Sequence, residues 1–337
     1  MEVCNSLTFR KSDIEAQNFQ QDLFPMIDPF KTGMISVGDG HKIYWEQSGN
    51  PNGQPVVFLH GGPGAGSNPV HRRFFDPEFY QITIFDQRGA GQSLQLADIT
   101  KNTTHHLIED LETLRKYLKI KKWLVFGGSW GSTLALVYGI KHAAHCDGFI
   151  LRGIFLGDTD ELNWFLYGIR NIYPEPWRQF TTFLSEAEQN NILESYYLRL
   201  INPDPSIHML AADAWCQYEA QCSVLDVNFK TMKQPSGLIN NKSLALARIE
   251  AHYFKNSMFF DDGYILSNIA SIKDIPAIII QGRYDMICPI ITADKLAKAW
   301  PTTIYNIVPN AGHSALEGNI RTELVKATEK FKSLLIK

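Results

Sequence analysis

Gly127-Gly128-Ser129-Trp130-Gly131 decides the reading of this chain. It lies between a short apolar run, Lys122–Phe126, and a segment with helical spacing, Ser132–His142. A G-x-S-x-G sequence joining a strand to a helix is a turn so tight that the positions two before and two after the serine must lack bulk. Gly127 and Gly131 meet that demand. The turn lifts the Ser129 hydroxyl clear of the sheet and sets it at the positive end of the following helix. A serine placed that way is a candidate nucleophile.

The flanking segments extend the pattern. Upstream, β-rich runs at Met34–Val37, Ile43–Gln47, Val56–His60 and Gln81–Asp86 are separated by turn residues such as Gly38-Asp39-Gly40. Leu107, Leu111, Leu114 and Leu118 then mark one face of a helix, with Thr103 or Thr104 available to cap it. Phe149–Phe155 reads as a strand again. Alternating strands and helices imply parallel pairing and an α/β fold. From 158 to 264 the pattern turns helical and rich in Trp, Tyr and Phe, broken at Pro174, Pro176, Pro203, Pro205 and Pro235. Alternation resumes with strand Ala277–Gln281, helix Thr292–Ala299, strand Thr303–Val308 and a terminal helix, Gly318–Leu335. The expected organisation is a core domain from 1–157 and 265–337, with 1–32 an extension, and an inserted helical cap at 158–264.

Composition narrows the function. The chain has 337 residues, 45% of them hydrophobic and 20% charged, enough for a sizeable core. Lys and Arg total 32 against 35 Asp and Glu, a net charge of −3, so no basic excess asks for nucleic acid. The cysteines, Cys4, Cys146, Cys216, Cys222 and Cys288, are odd in number and form no CxxC, which argues against disulfides or a zinc site. The first residues are polar, and no apolar run approaches the ~18 residues of a membrane span. A cytoplasmic, soluble protein is expected. No phosphate loop, HExxH or G-x-G-x-x-G element occurs, so neither a nucleotide nor a metal cofactor is called for. His142 and His145 have metal-like spacing, but they end a helix with no third ligand nearby and read as capping or surface residues.

A serine hydroxyl needs a base. On this kind of fold, acid and histidine follow the serine in that order, in loops after later strands. Strand Ala277–Gln281 ends in Gly282-Arg283-Tyr284-Asp285, and strand Thr303–Val308 in Pro309-Asn310-Ala311-Gly312-His313. Asp285 and His313 therefore stand where the orienting acid and the general base belong. His60-Gly61-Gly62-Pro63-Gly64 follows the strand Val56–His60, at the place that supplies the second oxyanion donor. The first donor is the Trp130 N–H, and the second is assigned to Gly62, with Gly61 the alternative.

These stretches resemble the proline iminopeptidases, serine peptidases of the α/β-hydrolase fold. The resemblance rests on His60–Gly64, Phe85-Asp86-Gln87-Arg88-Gly89, the block Gly127–Leu136, Leu151-Arg152-Gly153-Ile154-Phe155 and Gly282–Asp285, and runs from about residue 30 to the end. Ala90 and Gln92 depart from the family's DQRGCGRS. The resemblance implies release of N-terminal proline from short peptides, with Ser129 as nucleophile, His313 as base and Asp285 as its partner. It also implies that two cap glutamates, Glu219 and Glu250, hold the free amine, and that Phe155 lines the proline-ring pocket. A carboxylesterase would use the same three residues without the amine-binding pair. A non-catalytic binding protein of this fold would be expected to lack one of the three. The oligomeric state is left open.

Overall fold

The computed structural model describes residues 23–225 and 241–335. Cys4, most of the expected N-terminal extension and Pro235 lie outside them. Eight strands form one sheet: β1 (Lys31–Gly38), β2 (His41–Gly49), β3 (Gln54–Leu59), β4 (Tyr80–Phe85), β5 (Trp123–Ser129), β6 (Cys146–Ile154), β7 (Ala277–Gly282) and β8 (Ile304–Val308). Their spatial order is β1-β2-β4-β3-β5-β6-β7-β8. The β1–β2 and β2–β4 pairs are antiparallel, and every other pair is parallel.

Parallel neighbours need crossover connections. Helix α1 (Thr104–Tyr117) precedes β5, and α2 (Trp130–His142) joins β5 to β6. Thr103 caps α1, its side chain accepting from the His106 N–H, while Leu107, Leu111 and Leu114 are buried. Leu118 is already the residue beyond its end. Helix α2 is buried through Trp130–Gly139 and so carries no broad polar face.

Adjacent strand residues serve opposite cores, because side chains alternate across a sheet. Val57, Leu59, Trp123, Val125 and Leu151 join one cluster. Val56, Phe58, Leu124, Phe126 and Ile150 join the other. Both faces are covered, which is why these strands read as unbroken apolar runs.

Between β6 and β7 come α3 (Thr159–Asn163), α4 (Pro174–Thr182), α5 (Ile192–Leu200), α6 (Pro205–Cys222), α7 (Asn241–Lys255) and α8 (Tyr264–Asn268), with no strand among the described residues of this segment. Pro174, Pro176 and Pro205 do not break helices here. Pro174 and Pro205 open α4 and α6, where proline's fixed φ suits the first turn and its missing N–H costs nothing. The aromatic content builds a core: the Phe180 ring stacks on Tyr196 and Tyr218, each at 4.4 Å, with Trp215 set edgewise against it. Helices α9 (Ile290–Ala299) and α10 (Gly318–Leu335) complete the sheet's cover.

The β5–α2 junction has no intervening loop. A Cβ on Gly127 would overlap the Gly131 carbonyl, and one on Gly131 would overlap that of Leu59. Both obstacles are backbone. Gly40, at φ +82°, has open space around its position. Gly131→Ala is therefore expected to abolish soluble folded protein or collapse its melting temperature. Gly40→Ala should cost only about 1–2 kcal/mol, the left-handed backbone penalty. Comparable losses in urea unfolding would refute the steric account.

Candidate active site

Ser129 ends β5 with φ 57° and ψ −129°, a backbone conformation that a non-glycine residue holds only under constraint. The loop after β3 passes over it. A Cβ on Gly61 would lie 3.5 Å from Ser129 Cβ and 4.0 Å from its Oγ. Gly62 has φ +107° and its N–H has no acceptor among the described residues. Trp130 is the first residue of α2, so its N–H is one that a helix leaves without an internal partner. Two free amides thus flank the serine.

A buried network fixes that loop. His60 Nε2 accepts from the Gln87 N–H at 3.0 Å, so Nδ1 carries the proton and donates to the Gly61 carbonyl at 2.9 Å. Gln87 Nε2 donates back to the His60 carbonyl, and Gln87 Oε1 accepts from Trp130 Nε1, both at 2.9 Å. Burial pulls the His60 pKa below its ordinary value and keeps the ring neutral. The neighbouring Arg88 donates to both oxygens of Asp110, at 2.7 and 2.9 Å, tying the loop after β4 to α1.

His313 and Asp285 meet on the far side. His313 Nδ1 lies 2.9 and 3.0 Å from the two Asp285 oxygens. The carboxylate also accepts from the N–H groups of Ile287 and Cys288, at 3.1 and 2.8 Å, and from Gln281 Nε2 at 3.1 Å. Buried Gln281 donates in addition to the Cys288 carbonyl and accepts from the Ile154 N–H, so it locks the acid to β6. Ser129 ends β5, while Asp285 and His313 follow β7 and β8, so all three stand at the carboxyl ends of strands, with β6 between the serine and the acid.

A cavity of about 220 Å³ gathers Gly61, Gly62, Ser129, Arg152, Glu219 and His313. Trp130, Asp285 and Glu250 stand behind that lining, and all three are buried. Phe155 is buried too, its ring 6.3 Å from Phe254, and its backbone is tied to α2 through Ser132 and Thr133. A larger groove between β8 and α10, of about 580 Å³, is lined by residues such as Tyr305, Asn306 and Glu323 and holds no nucleophile–base pair.

Glu219 on α6 and Glu250 on α7 are close enough to oppose each other's ionisation. Burial pushes the Glu219 carboxyl up to about 7. Burial first, then the charge of Glu219, holds Glu250 well above the usual range, against the Trp215 Nε1 bond to its Oε2 at 2.6 Å. Neither has a basic partner among the described residues. Paired carboxylates without a counter-charge suit a ligand that brings a cation.

Three positions were not singled out by sequence reasoning: Gln281, Gln87 and Arg152. Each is a polar interruption of an apolar strand or its end, Ala277-Ile-Ile-Ile-Gln281 and Leu151-Arg152 being the plain cases, and that interruption was the available signal. The His142–His145 expectation needs a correction. Glu112, from α1, lies within 4.8 Å of both rings. Sequence distance hid it. Its carboxylate is already occupied, by Arg115 Nε and Nη2 at 2.7 and 2.8 Å, Tyr138 OH at 2.7 Å and His145 Nδ1 at 3.0 Å. The guanidinium fills the place a cation would take.

Residues 54–319 match the family model of the α/β-hydrolase fold. The proline iminopeptidase of Arabidopsis thaliana is 47% identical over 99% of this chain and 88% of its own. Those of Xylella fastidiosa and Neisseria gonorrhoeae are each 43% identical, over 92% and 91% of this chain and 99% and 98% of theirs. The chain belongs to the proline iminopeptidase family. Among solved structures, a proline iminopeptidase-related protein from Thermus thermophilus superposes with a TM-score of 0.58 at 19% identity, covering 92% of this chain and 99% of that one. A lipase from Acinetobacter baumannii gives 0.61 at 14%, covering 99% of both. These share the fold. No helix among the described residues is long and apolar enough to cross a membrane.

The glutamate pair makes a stability prediction. A carboxyl whose folded pKa is raised destabilises the fold above its ordinary pKa, and the cost is complete once the pH exceeds the folded value. Glu250→Gln keeps an oxygen for Trp215 and removes the charge. It should raise the melting temperature of the ligand-free protein at pH 8 and leave it nearly unchanged at pH 5. A lower melting temperature at both pH values would show that the carboxylate supports the fold.

Proposed function

We propose that this chain is a serine exopeptidase that releases N-terminal proline from peptides through a prolyl-enzyme intermediate. Ser129 Oγ attacks the prolyl carbonyl while His313 Nε2 takes its proton, and Asp285 orients the ring through Nδ1. The N–H groups of Trp130 and Gly62 receive the oxyanion. Loss of one such donor typically slows reaction about 10²–10³-fold. His313 then delivers its proton to the departing nitrogen, and water, activated by the same ring, hydrolyses the ester and restores Ser129.

The observation that carries this reading is the pair of uncompensated carboxylates, Glu219 and Glu250, set in the helical segment beside Ser129. An esterase has no use for a cation site there. A secondary ammonium is held by two carboxylates only if it is unblocked, which restricts cleavage to a free terminus. In this reading 158–264 acts as a cap, and Phe155 lies on the side assigned to the pyrrolidine ring.

The test compares proline anilide, N-acylproline anilide and a short-chain nitrophenyl ester, with Ser129→Ala as the blank. Only the free proline anilide should be turned over rapidly. The ratio of kcat/KM for the anilide to that for the ester cancels the shared histidine. It should rise with pH through about 7, where the Glu219 carboxyl ionises, and fall again near pH 8 and above as the substrate amine loses its proton. Glu219→Gln should flatten the rise. Equal turnover of the ester and blocked anilide, or a ratio independent of pH, would discard the amine site.

A further inference from the structure

Arg152 is the one charged residue in the run Phe149-Ile150-Leu151-Arg152-Gly153-Ile154-Phe155. The alternation of β6 puts it on the Ile150 side, beside Gly128 on β5. A Cβ on Gly128 would lie 2.5 Å from Nη2 and 2.8 Å from both Cζ and Nε. The guanidinium therefore lies flat against the residue before the nucleophile, and only glycine leaves it room. Nη1 donates to the His313 carbonyl at 2.6 Å and comes within 3.3 Å of His313 Nε2. Among the described residues, Nε and Nη2 have no acceptor and no carboxylate forms an ion pair with Arg152. The nearby Asp285 is committed to His313, Gln281 and two backbone amides. Burial holds the Arg152 pKa below its ordinary value, as befits a cation short of counter-charge. Yet the side chain lines the same cavity as Ser129 and Glu219.

We propose that Arg152 binds the free α-carboxylate of the residue that follows the N-terminal proline, making this chain a dipeptidase for prolyl dipeptides by preference. The inference rests on the function proposed above and adds the leaving-group side. The leaving nitrogen must reach His313 Nε2 to be protonated. In a dipeptide the carboxylate carbon is two bonds from that nitrogen, and Nη1 is 3.3 Å from the same Nε2. The carboxylate thus falls within reach of the unpaired Nε–Nη2 edge, whose fork matches its two oxygens. The zwitterion is then read at both ends, ammonium by Glu219 and Glu250, carboxylate by Arg152. A C-terminal amide or a longer peptide brings no charge to that point and leaves the guanidinium uncompensated.

The test measures kcat/KM for Pro-Gly, Pro-Gly amide and proline anilide on wild type, Arg152→Met and Arg152→Lys. A bond to a charged group implies that wild type favours the acid over the amide about ten- to a hundredfold. Arg152→Met should erase that preference while changing the anilide rate only a few-fold, and Arg152→Lys should restore part of it. A wild type that cleaves the anilide but treats acid and amide alike overturns this inference and leaves the proposed function standing. Failure to cleave the anilide at all overturns the function itself. Equal losses on all three substrates in a normally melting Arg152→Met would make the residue a support for His313 and overturn the carboxylate site. As a check independent of the variants, N-acetylglycine should inhibit wild type competitively and N-acetylglycinamide should not. Equal inhibition by the two also overturns it.

Discussion

The structure depends on one steric constraint, the closed turn at Ser129. Strand β5 passes into α2 without a spacer, and the chain manages this only because residues 127, 128 and 131 present no side chain. The three glycines answer to different neighbours. Gly127 yields to the backbone of α2, Gly131 to the backbone at the end of β3, and Gly128 to the guanidinium of Arg152. The same turn therefore sets the serine's backbone, brings the β3 loop against it and admits a cation beneath it. The flat packing of Arg152 is a consequence of the elbow, since any side chain at 128 would exclude it.

How much of this was legible follows from the range of each interaction. The turn, the strands around it and the placement of Asp285 and His313 after β7 and β8 are local patterns, so the sequence displayed them. The helical segment is recognisable by period, and Pro203 does separate two helices, whereas Pro174, Pro176 and Pro205 lie in first turns. A proline at a first helical position and one between helices look alike without the hydrogen bonds around them. Gln281 and Gln87 went unnoticed because their importance lies in partners brought by the fold, Ile154 and Cys288 for one, His60 and Trp130 for the other. Glu112 escaped for the same reason: it stands 30 and 33 residues before the two histidines it meets. Glu219 and Glu250 were reached through family resemblance. Helical glutamates are usually solvated, and nothing in their immediate sequence says that these two face one another.

Charge is distributed unevenly around the serine. The carboxylates of Glu219 and Glu250 stand on α6 and α7, and the Arg152 guanidinium stands on β6. Each is a costly burial in the absence of ligand. They do not cancel: neither glutamate pairs with Arg152, and the charge that opposes Arg152 most is that of Asp285. Arg152 and Glu219 line one cavity, and the zwitterionic dipeptide proposed above would bring a charge to each.

The end of α6 and the loop of His313 are mechanically one unit. The N–H groups of His313 and Ser314 donate to the Ser223 carbonyl, at 3.1 and 3.0 Å, just beyond the end of α6. Ser223 Oγ in turn donates to the Glu219 carbonyl at 2.7 Å. On the other side, Glu317 accepts from the Leu225 and Gly312 N–H groups, at 2.8 and 2.6 Å, closing a second link between the same two segments. The residue that closes the helix of Glu219 is thus hydrogen-bonded to the loop that carries His313. Any tilt of α6 that moved Glu219 away from the cavity would draw on the backbone of His313. The distance between Glu219 and His313 is therefore held by the fold, and in the exopeptidase proposed above that distance would set how far the scissile bond lies from the free amine.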